Sequence, residues 1–356
     1  MKTFAVYNFG CRVNAAETNQ FSQKLINEGY TPMAKEGQER LDTIFINTCS
    51  VTKKANIESV GLIRRLHKKY PDTKIIVSGC ANLKEIKDLS NITVLSNSEK
   101  EIKLQDLNCE YTRKIADKFS HTNRFLLKIQ SGCTAFCTYC TVPYKRPYLW
   151  SLPIETAINT VISANNDGYK EVIITGVNLN QYTPGFSNLL KALLEKTNIQ
   201  LISFGSIPIN CIDINLIKLL KKYPKRLQKF LHIPLQSGSD KILKLMHRNY
   251  IKKVILEKFS LLKNLESGLS FGTDIIVGFP GETDADFQQT YNLCQQIGFN
   301  KIHVFKYSPR PGTLARKLFL ESEKISKDTV KQRSKKLRLL NVQTTLPFRQ
   351  KPEKKS

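Results

Sequence analysis

No uninterrupted apolar run in this sequence approaches the ~20 residues needed to cross a bilayer as a helix, so no membrane partner is expected. The opening stretch, MKTFAVYNFGC, lacks an apolar signal core followed by a small-residue cleavage site. Acidic residues are scarce beside basic ones, 30 against 55, leaving a formal charge of +25. That imbalance argues against a polycationic partner and favours a polyanion, with nucleic acid first; lysine-rich solvated surface is the plainer source of part of it. The nine cysteines come without a secretory leader. A reducing compartment follows, with metal or cluster binding favoured over disulfides, and a cytoplasmic location is expected.

The densest cysteine group is Cys133-Thr134-Ala135-Phe136-Cys137-Thr138-Tyr139-Cys140, a C-x3-C-x2-C run. Three thiolates this close suit an iron–sulfur cluster or zinc. A structural zinc site needs a fourth ligand, and none follows nearby: the next cysteine is Cys211, and His121 lies upstream across a predicted strand. A cubane cluster held by three cysteines would keep one iron open for another ligand.

Composition is that of an ordinary globular protein, and 356 residues suffice for two domains. Up to about residue 112, short apolar runs alternate with helical patterns, which predicts βα units and a Rossmann-like parallel sheet. Strands are expected at Thr3–Tyr7, Thr43–Asn47 and Lys74–Ser78, with helices over Glu17–Glu28 and about Ala55–Tyr70. Cys11, Cys49 and Cys80 each fall one to four residues beyond a predicted strand. A parallel sheet puts such strand ends on one edge, where open α/β folds place ligands, so a second three-cysteine site is expected. Three unrelated buried cysteines are the plain alternative. Residues 90–120 read as a last edge strand and a linker, with Cys109 incidental.

A second domain is expected over 119–345, followed by a basic, disordered tail at 346–356. Six strands are predicted there: Phe125–Gln130, Glu171–Thr175, Gln200–Ser206, Lys229–Leu235, Ser270–Val277 and Lys301–Tyr307. Helical patterns at about 154–166, 187–196, 212–222, 239–265 and 284–296 separate them, and a further helix is expected from Arg316 to about Val342. Ile325, Val330, Leu337 and Leu340 on that last helix would pack on the barrel, with its basic residues free for RNA. The fold class is therefore α/β, with the parallel-sheet domain followed by a partial (β/α)6 barrel. Chemistry in such barrels sits at the C-terminal ends of strands, which is where the Cys133–Cys140 loop falls.

The strings GCRVN, NTCSVT and SGC around the three dispersed cysteines, with HIPLQSGSD, MHRNY, TDIIVGFPGET and FKYSPRPGTLA further on, resemble the methylthiotransferases of the radical S-adenosylmethionine (radical SAM) superfamily. The run NTCSVTKKA with Ile63-Arg64-Arg65 is most similar to the group acting on N6-threonylcarbamoyladenosine at position 37 of tRNA. The resemblance implies two [4Fe–4S] clusters and SAM. Cys133, Cys137 and Cys140 would hold the SAM-cleaving cluster, and Cys11, Cys49 and Cys80 an auxiliary cluster that supplies sulfur to carbon 2 of the adenine. Gly176, Asn178 and Gln236 are expected at SAM, Arg64, Arg65 and Arg310 at RNA, and Asp274 at substrate or SAM.

The expected partners are the tRNA anticodon loop and a flavodoxin-type electron donor, and no DNA. Alternatives are the same chemistry on isopentenyladenosine 37 or on a ribosomal-protein aspartate, or a non-catalytic iron–sulfur RNA-binding protein. Three departures from the family pattern stand out. An Arg-Gly…Ser-Arg stretch is replaced by Arg146-Pro147-Tyr148-Leu149-Trp150-Ser151-Leu152; Pro208 replaces a carboxylate after the third barrel strand; and no C-terminal TRAM domain is expected.

Overall fold

A computed structural model of the protein describes residues 2–33, 41–50, 53–83, 86, 89–105, 124–265 and 268–343. The expected linker beyond residue 105, with Cys109 and His121, and the expected tail at 346–356 lie outside the described residues. Contacts divide the chain into two compact units, Met1–Thr134 with Val142–Gly205, and Ala135–Thr141 with Ser206–Ser356.

In the first unit, β1 (Thr3–Asn8), β2 (Thr31–Pro32), β3 (Thr43–Thr48), β4 (Lys74–Gly79) and β5 (Ile92–Val94) form a parallel sheet ordered β2-β1-β3-β4-β5. Strand β3 is buried along its whole length, as expected of a central strand covered on both faces. One face packs Ile44, Ile46, Ile75 and Val77 against Val60, Ile63 and Leu66 of α2 (Lys53–Lys69). The other packs Phe4, Val6 and Phe45 against Phe21 and Leu25 of α1 (Arg12–Asn27). Phe21 and Phe45 stack with ring centroids 3.9 Å apart.

Helix α1 starts five residues earlier than its apolar spacing predicts, and α3 (Asn97–Gln105) is not predicted at all. The reason for the omission is chemical. The inward face of α3 carries Lys100 and Glu101 beside Leu104, so a helix buried through charges shows no apolar period.

The same unit holds β6 (Arg124–Ser131), the short α4 (Val142–Lys145), β7 (Trp150–Ser151), α5 (Ile154–Asn166), β8 (Glu171–Gly176), α6 (Phe186–Lys196) and β9 (Leu201–Phe204). The sheet runs β7-β6-β8-β9, and β7 is antiparallel to β6, an element the sequence pattern does not announce.

The second unit contains α7 (Ile214–Lys222), β10 (Phe230–His232), α8 (Asp240–Leu245), α9 (Lys252–Lys263), β11 (Ser270–Val277), α10 (Asp284–Ile297), β12 (Lys301–Lys306), α11 (Leu314–Glu321) and α12 (Lys327–Gln343). Its sheet, β10-β11-β12, is parallel. All six predicted barrel strands are present, β6, β8 and β9 parallel to one another in the first unit and β10, β11 and β12 parallel to one another in the second.

Three boundaries differ from expectation. Strand β10 stops at His232, because Pro234 offers no N–H to a ladder and Gln236 takes a left-handed φ of 72°. The helix expected over 239–265 is two helices, broken where His247 has φ 58°. The C-terminal helix is also two, with Ser326 receiving the Thr329 N–H at the second start. Leu337 and Leu340 are buried as expected, and Val330 fills the space that a Cβ at Gly278 would occupy.

Candidate metal centres

The sheet edge at the C-terminal ends of β1, β3 and β4 gathers the three dispersed cysteines. Register pairs Thr48 with Gly79, so Cys49 and Cys80 leave adjacent strands side by side. Cys11 stands three residues beyond β1 as the N-cap of α1. Gly10 (φ 94°) makes room: a Cβ there would lie 2.5 Å from Cys49 Sγ. At Gly79 (φ 105°) a Cβ would lie 2.3 Å from the Thr48 carbonyl oxygen. Only glycine satisfies that φ and that approach together. Asn14 ties the edge, donating to the Phe9 and Thr48 carbonyls at 2.8 Å each, while Cys11 Sγ lies 3.9 Å from its Oδ1. Asn97 donates to the Gly79 and Lys145 carbonyls and reaches Cys80 Sγ at 4.0 Å.

Beneath this edge lies a fully buried ionic group. Glu17 accepts from Arg146 Nη1 and Nη2 at 2.6 and 2.9 Å, from Lys100 at 2.7 Å and from Lys128 at 3.2 Å. Lys128 also meets Glu101 at 2.8 Å, and Arg146 Nη2 donates to Asn14 Oδ1 at 2.9 Å. Burial alone would raise the Glu17 carboxyl, but Arg146, Lys100 and Lys128 outweigh it and hold it well below the usual range. Burial brings Lys100 down to about 8 despite Glu17. Arg146 is raised well above its ordinary value, burial being overcome by Glu17, with Cys80 a further partner. Three cations face two carboxylates here. The surplus positive charge suits three thiolates at the edge above, where low dielectric strengthens the attraction.

The C-x3-C-x2-C loop follows β6, the expected place. In the first unit, Cys133 N donates to the Arg146 carbonyl, and Asn178 Nδ2 donates to Cys133 Sγ at 3.5 Å. Asn178 N is itself held by Gln130 Oε1 at 2.8 Å. Gly176, at the end of β8, has no space for a Cβ, which would lie 2.8 Å from Leu179 Cδ2. Thus Asn178 stands against Cys133, while Gly176 fixes the turn that brings it there.

In the second unit, Arg248 Nη1 donates to Cys137 Sγ at 3.4 Å, and Tyr139 packs edge-on to Phe279. Burial raises the Tyr139 hydroxyl well above its ordinary value, keeping it neutral. Gln236 sits at its left-handed turn with both backbone groups bonded to β11: its N–H to the Asp274 carbonyl and its carbonyl to the Ile276 N–H. Asp274 lies between two imidazoles, with His232 Nε2 at 3.0 Å and His303 Nδ1 at 3.3 Å from Oδ1. Burial lowers His303 from its ordinary value, against the pull of Asp274.

Arg310 is half-buried after β12, with its carbonyl accepting from Thr313. Arg64 and Arg65 are exposed on α2 beside exposed Lys68 and Lys69. Glu17, Lys100, Lys128 and His303 stand beneath the cysteine edge or beside Asp274 without having been singled out from the sequence, whereas Arg146, His232 and Arg248 lie within strings quoted above with no contact foreseen for them. The string MHRNY contained Arg248, but nothing in its spacing indicates which way the arginine turns.

A three-cysteine loop behind the first strand of a parallel βα run, in a chain of six such strands, defines a radical SAM protein. The chain matches the Radical SAM superfamily over residues 127–294 and the uncharacterized protein family UPF0004 over residues 3–97. It is 33% identical to the threonylcarbamoyladenosine tRNA methylthiotransferase MtaB of Thermotoga maritima, covering 94% of this chain and 82% of that one. It is 34% identical to the tRNA-2-methylthio-N(6)-dimethylallyladenosine synthase of Thermodesulfovibrio yellowstonii, covering 89% and 79%. This chain belongs to the radical SAM methylthiotransferase family, and MtaB enzymes of several bacteria are among its relatives. In fold it is similar to the radical SAM methyltransferase TsrM of Kitasatospora setae, at TM-score 0.68 and 11% identity over 89% of this chain and 77% of that one.

Proposed function

We propose that this protein is a tRNA methylthiotransferase that places a methylthio group on carbon 2 of N6-threonylcarbamoyladenosine at position 37. The carrying observation is the gathering of Cys11, Cys49 and Cys80 at one sheet edge, in a chain that has a separate three-cysteine loop. Neither set forms a disulfide. The donor chemistry fits iron–sulfur cubanes: thiolates in threes, with an N–H donor within reach of a sulfur in each set.

Cys11, Cys49 and Cys80 would hold the auxiliary cluster, and Cys133, Cys137 and Cys140 the SAM-cleaving one. When bound, the clusters and SAM supply radical hydrogen abstraction and sulfur, which an unactivated aromatic carbon requires. The protein's residues supply placement. Asn178 follows the end of β8 with its carboxamide against Cys133, and Gln236 stands at the left-handed turn after β10, strand-end positions that suit a SAM site; Gly176 sets the first of these turns. Arg64, Arg65 and Arg310 supply cations for the anticodon-loop phosphates, and Asp274 with its two imidazoles offers polar contacts to substrate.

A low-potential donor of the flavodoxin type would deliver electrons, and the cytoplasm is the compartment that fits. Among the described residues no helix is long and apolar enough to cross a membrane. The 34% identity to a dimethylallyladenosine synthase favours one other reading, the same chemistry on isopentenyladenosine. Nucleoside mass spectrometry of tRNA from cells with and without the gene separates the two. Loss of the methylthio-threonylcarbamoyl form alone is expected; loss of only the isopentenyl form would replace the first reading with the second.

A further inference from the structure

The six residues between α8 and α9 wrap the backbone of the cluster loop. Thr138 donates its N–H to the Met246 carbonyl at 3.2 Å and its hydroxyl to the Leu245 carbonyl at 2.8 Å. His247 Nδ1 lies 3.2 Å from the Phe136 carbonyl oxygen. Phe136 (φ 45°) and His247 (φ 58°) both occupy the left-handed region without being glycine. Such backbone persists only where its surroundings over-determine it, and it concentrates at functional sites.

The outcome of this interrupted helix is the aim of one side chain. Arg248 points Nη1 at Cys137 Sγ, 3.4 Å away. Its other groups are engaged: Nε donates to Tyr250 Oη at 2.8 Å, Nη2 to the Pro234 carbonyl at 3.4 Å, and the guanidinium lies 5.0 Å from the Tyr250 ring centre. Buried Tyr250 is fixed in turn by donating to the Leu235 carbonyl at 3.0 Å. The break buries Met246 and Tyr250 and at the same time turns Arg248 toward Cys137.

We propose that Arg248 is a positioning residue that sets the reduction potential of the SAM-cleaving cluster through a charged N–H···S bond to Cys137. The inference rests on the reading that Cys133, Cys137 and Cys140 hold that cluster. Hydrogen bonds to cluster sulfurs and nearby charge are among the factors that set iron–sulfur potentials. A cation donating to a thiolate favours the reduced, more negative state, and so raises the potential. Arginine suits the task because its planar fork can be fixed by contacts to Tyr250 and the Pro234 carbonyl while one N–H remains aimed.

The test compares anaerobically reconstituted parent, Arg248→Gln and Arg248→Lys proteins in mediated redox titrations. The electron paramagnetic resonance signal that SAM perturbs marks the cluster of interest. At the parent's midpoint, Arg248→Gln should lower the ratio of reduced to oxidised cluster about tenfold, equivalent to about 59 mV for one electron. Arg248→Lys keeps the charge without the fork and should fall between. The signal insensitive to SAM, from the auxiliary cluster, should keep its midpoint. Equal midpoints in all three proteins would overturn the proposal. If Arg248→Gln fails to hold its cluster, Arg248→Lys decides: a lowered midpoint supports the role and the parental value refutes it. A parent protein that assembles no SAM-sensitive cluster would instead bring down the proposed function.

Discussion

The two cysteine sets are built in opposite ways. At the sheet edge the three cysteines come from three strand ends far apart in sequence, and the fold itself brings them together. Gly10 and Gly79 admit the close approach, Asn14 ties the loops, and Glu17 with its cations forms the floor. In the loop the cysteines are neighbours in sequence, and the surrounding strand ends contribute donors to individual sulfurs, Asn178 to Cys133 and Arg248 to Cys137. The first set is therefore inseparable from the stability of its sheet. The second can be altered sulfur by sulfur with little cost to the fold.

The largest test of that contrast is ligand removal. Two cubanes predict about eight irons per chain after reconstitution. Cys49→Ala and Cys137→Ala should each leave about four, and the absorbance and resonance signals of the remaining cluster should differ between the two variants. Loss of all iron in either variant would mean that the sets are not independent.

Next comes the floor of the sheet edge. Glu17→Gln leaves three buried cations facing one remaining carboxylate, and breaking such a buried group costs roughly 3–5 kcal/mol. Urea unfolding should show that loss, whereas Asn178→Ala should move the midpoint little. The acid limb gives the sign. Glu17 is held below its unfolded value of about 4.3, so its stabilisation is complete above that pH and is lost as pH falls through the lower folded value. The parent should lose stability over this window, and Glu17→Gln should lack that component.

Gly79→Ala follows in size. Its Cβ would lie 2.3 and 2.5 Å from backbone atoms of Thr48, at φ 105°, and neither can yield. Roughly 1–3 kcal/mol of destabilisation is expected, with loss of the auxiliary cluster before the SAM-sensitive one. At Gly176 the nearest obstacle is the flexible Leu179 side chain at 2.8 Å, so the same substitution should cost less there.

Much of this was legible in the sequence, and what was not has a common cause. Strand β3 and the strand-end positions of Cys49 and Cys80 follow from apolar runs that any parallel sheet would produce. The three-cysteine loop is local, so its spacing carries its chemistry. Helix α3 was invisible because it buries Lys100 and Glu101, which a hydrophobic period cannot register. The break before Arg248 was invisible for a related reason. Its residues are ordered by a polar side chain reaching Cys137, a partner more than a hundred residues away. Periodicity reports faces covered by oil; it is silent where a face is covered by charge.

The smallest effect sharpens the comparison most. Asn178 is expected to serve SAM as well as Cys133, since its carboxamide lies beside a cluster sulfur while Gln130 fixes its backbone. Asn178→Ala removes one side-chain hydrogen bond, worth about 0.5–1.5 kcal/mol, so SAM affinity should fall roughly 2- to 13-fold. Iron content should stay at the parental value, because three thiolates still hold the loop's cluster. Equilibrium dialysis with SAM on the reconstituted variant reads this directly. Unchanged affinity with intact clusters would remove Asn178 from the SAM site and leave it a donor to Cys133 alone. In that case both residues directed at the loop sulfurs, Asn178 and Arg248, would act on the cluster rather than on its substrate.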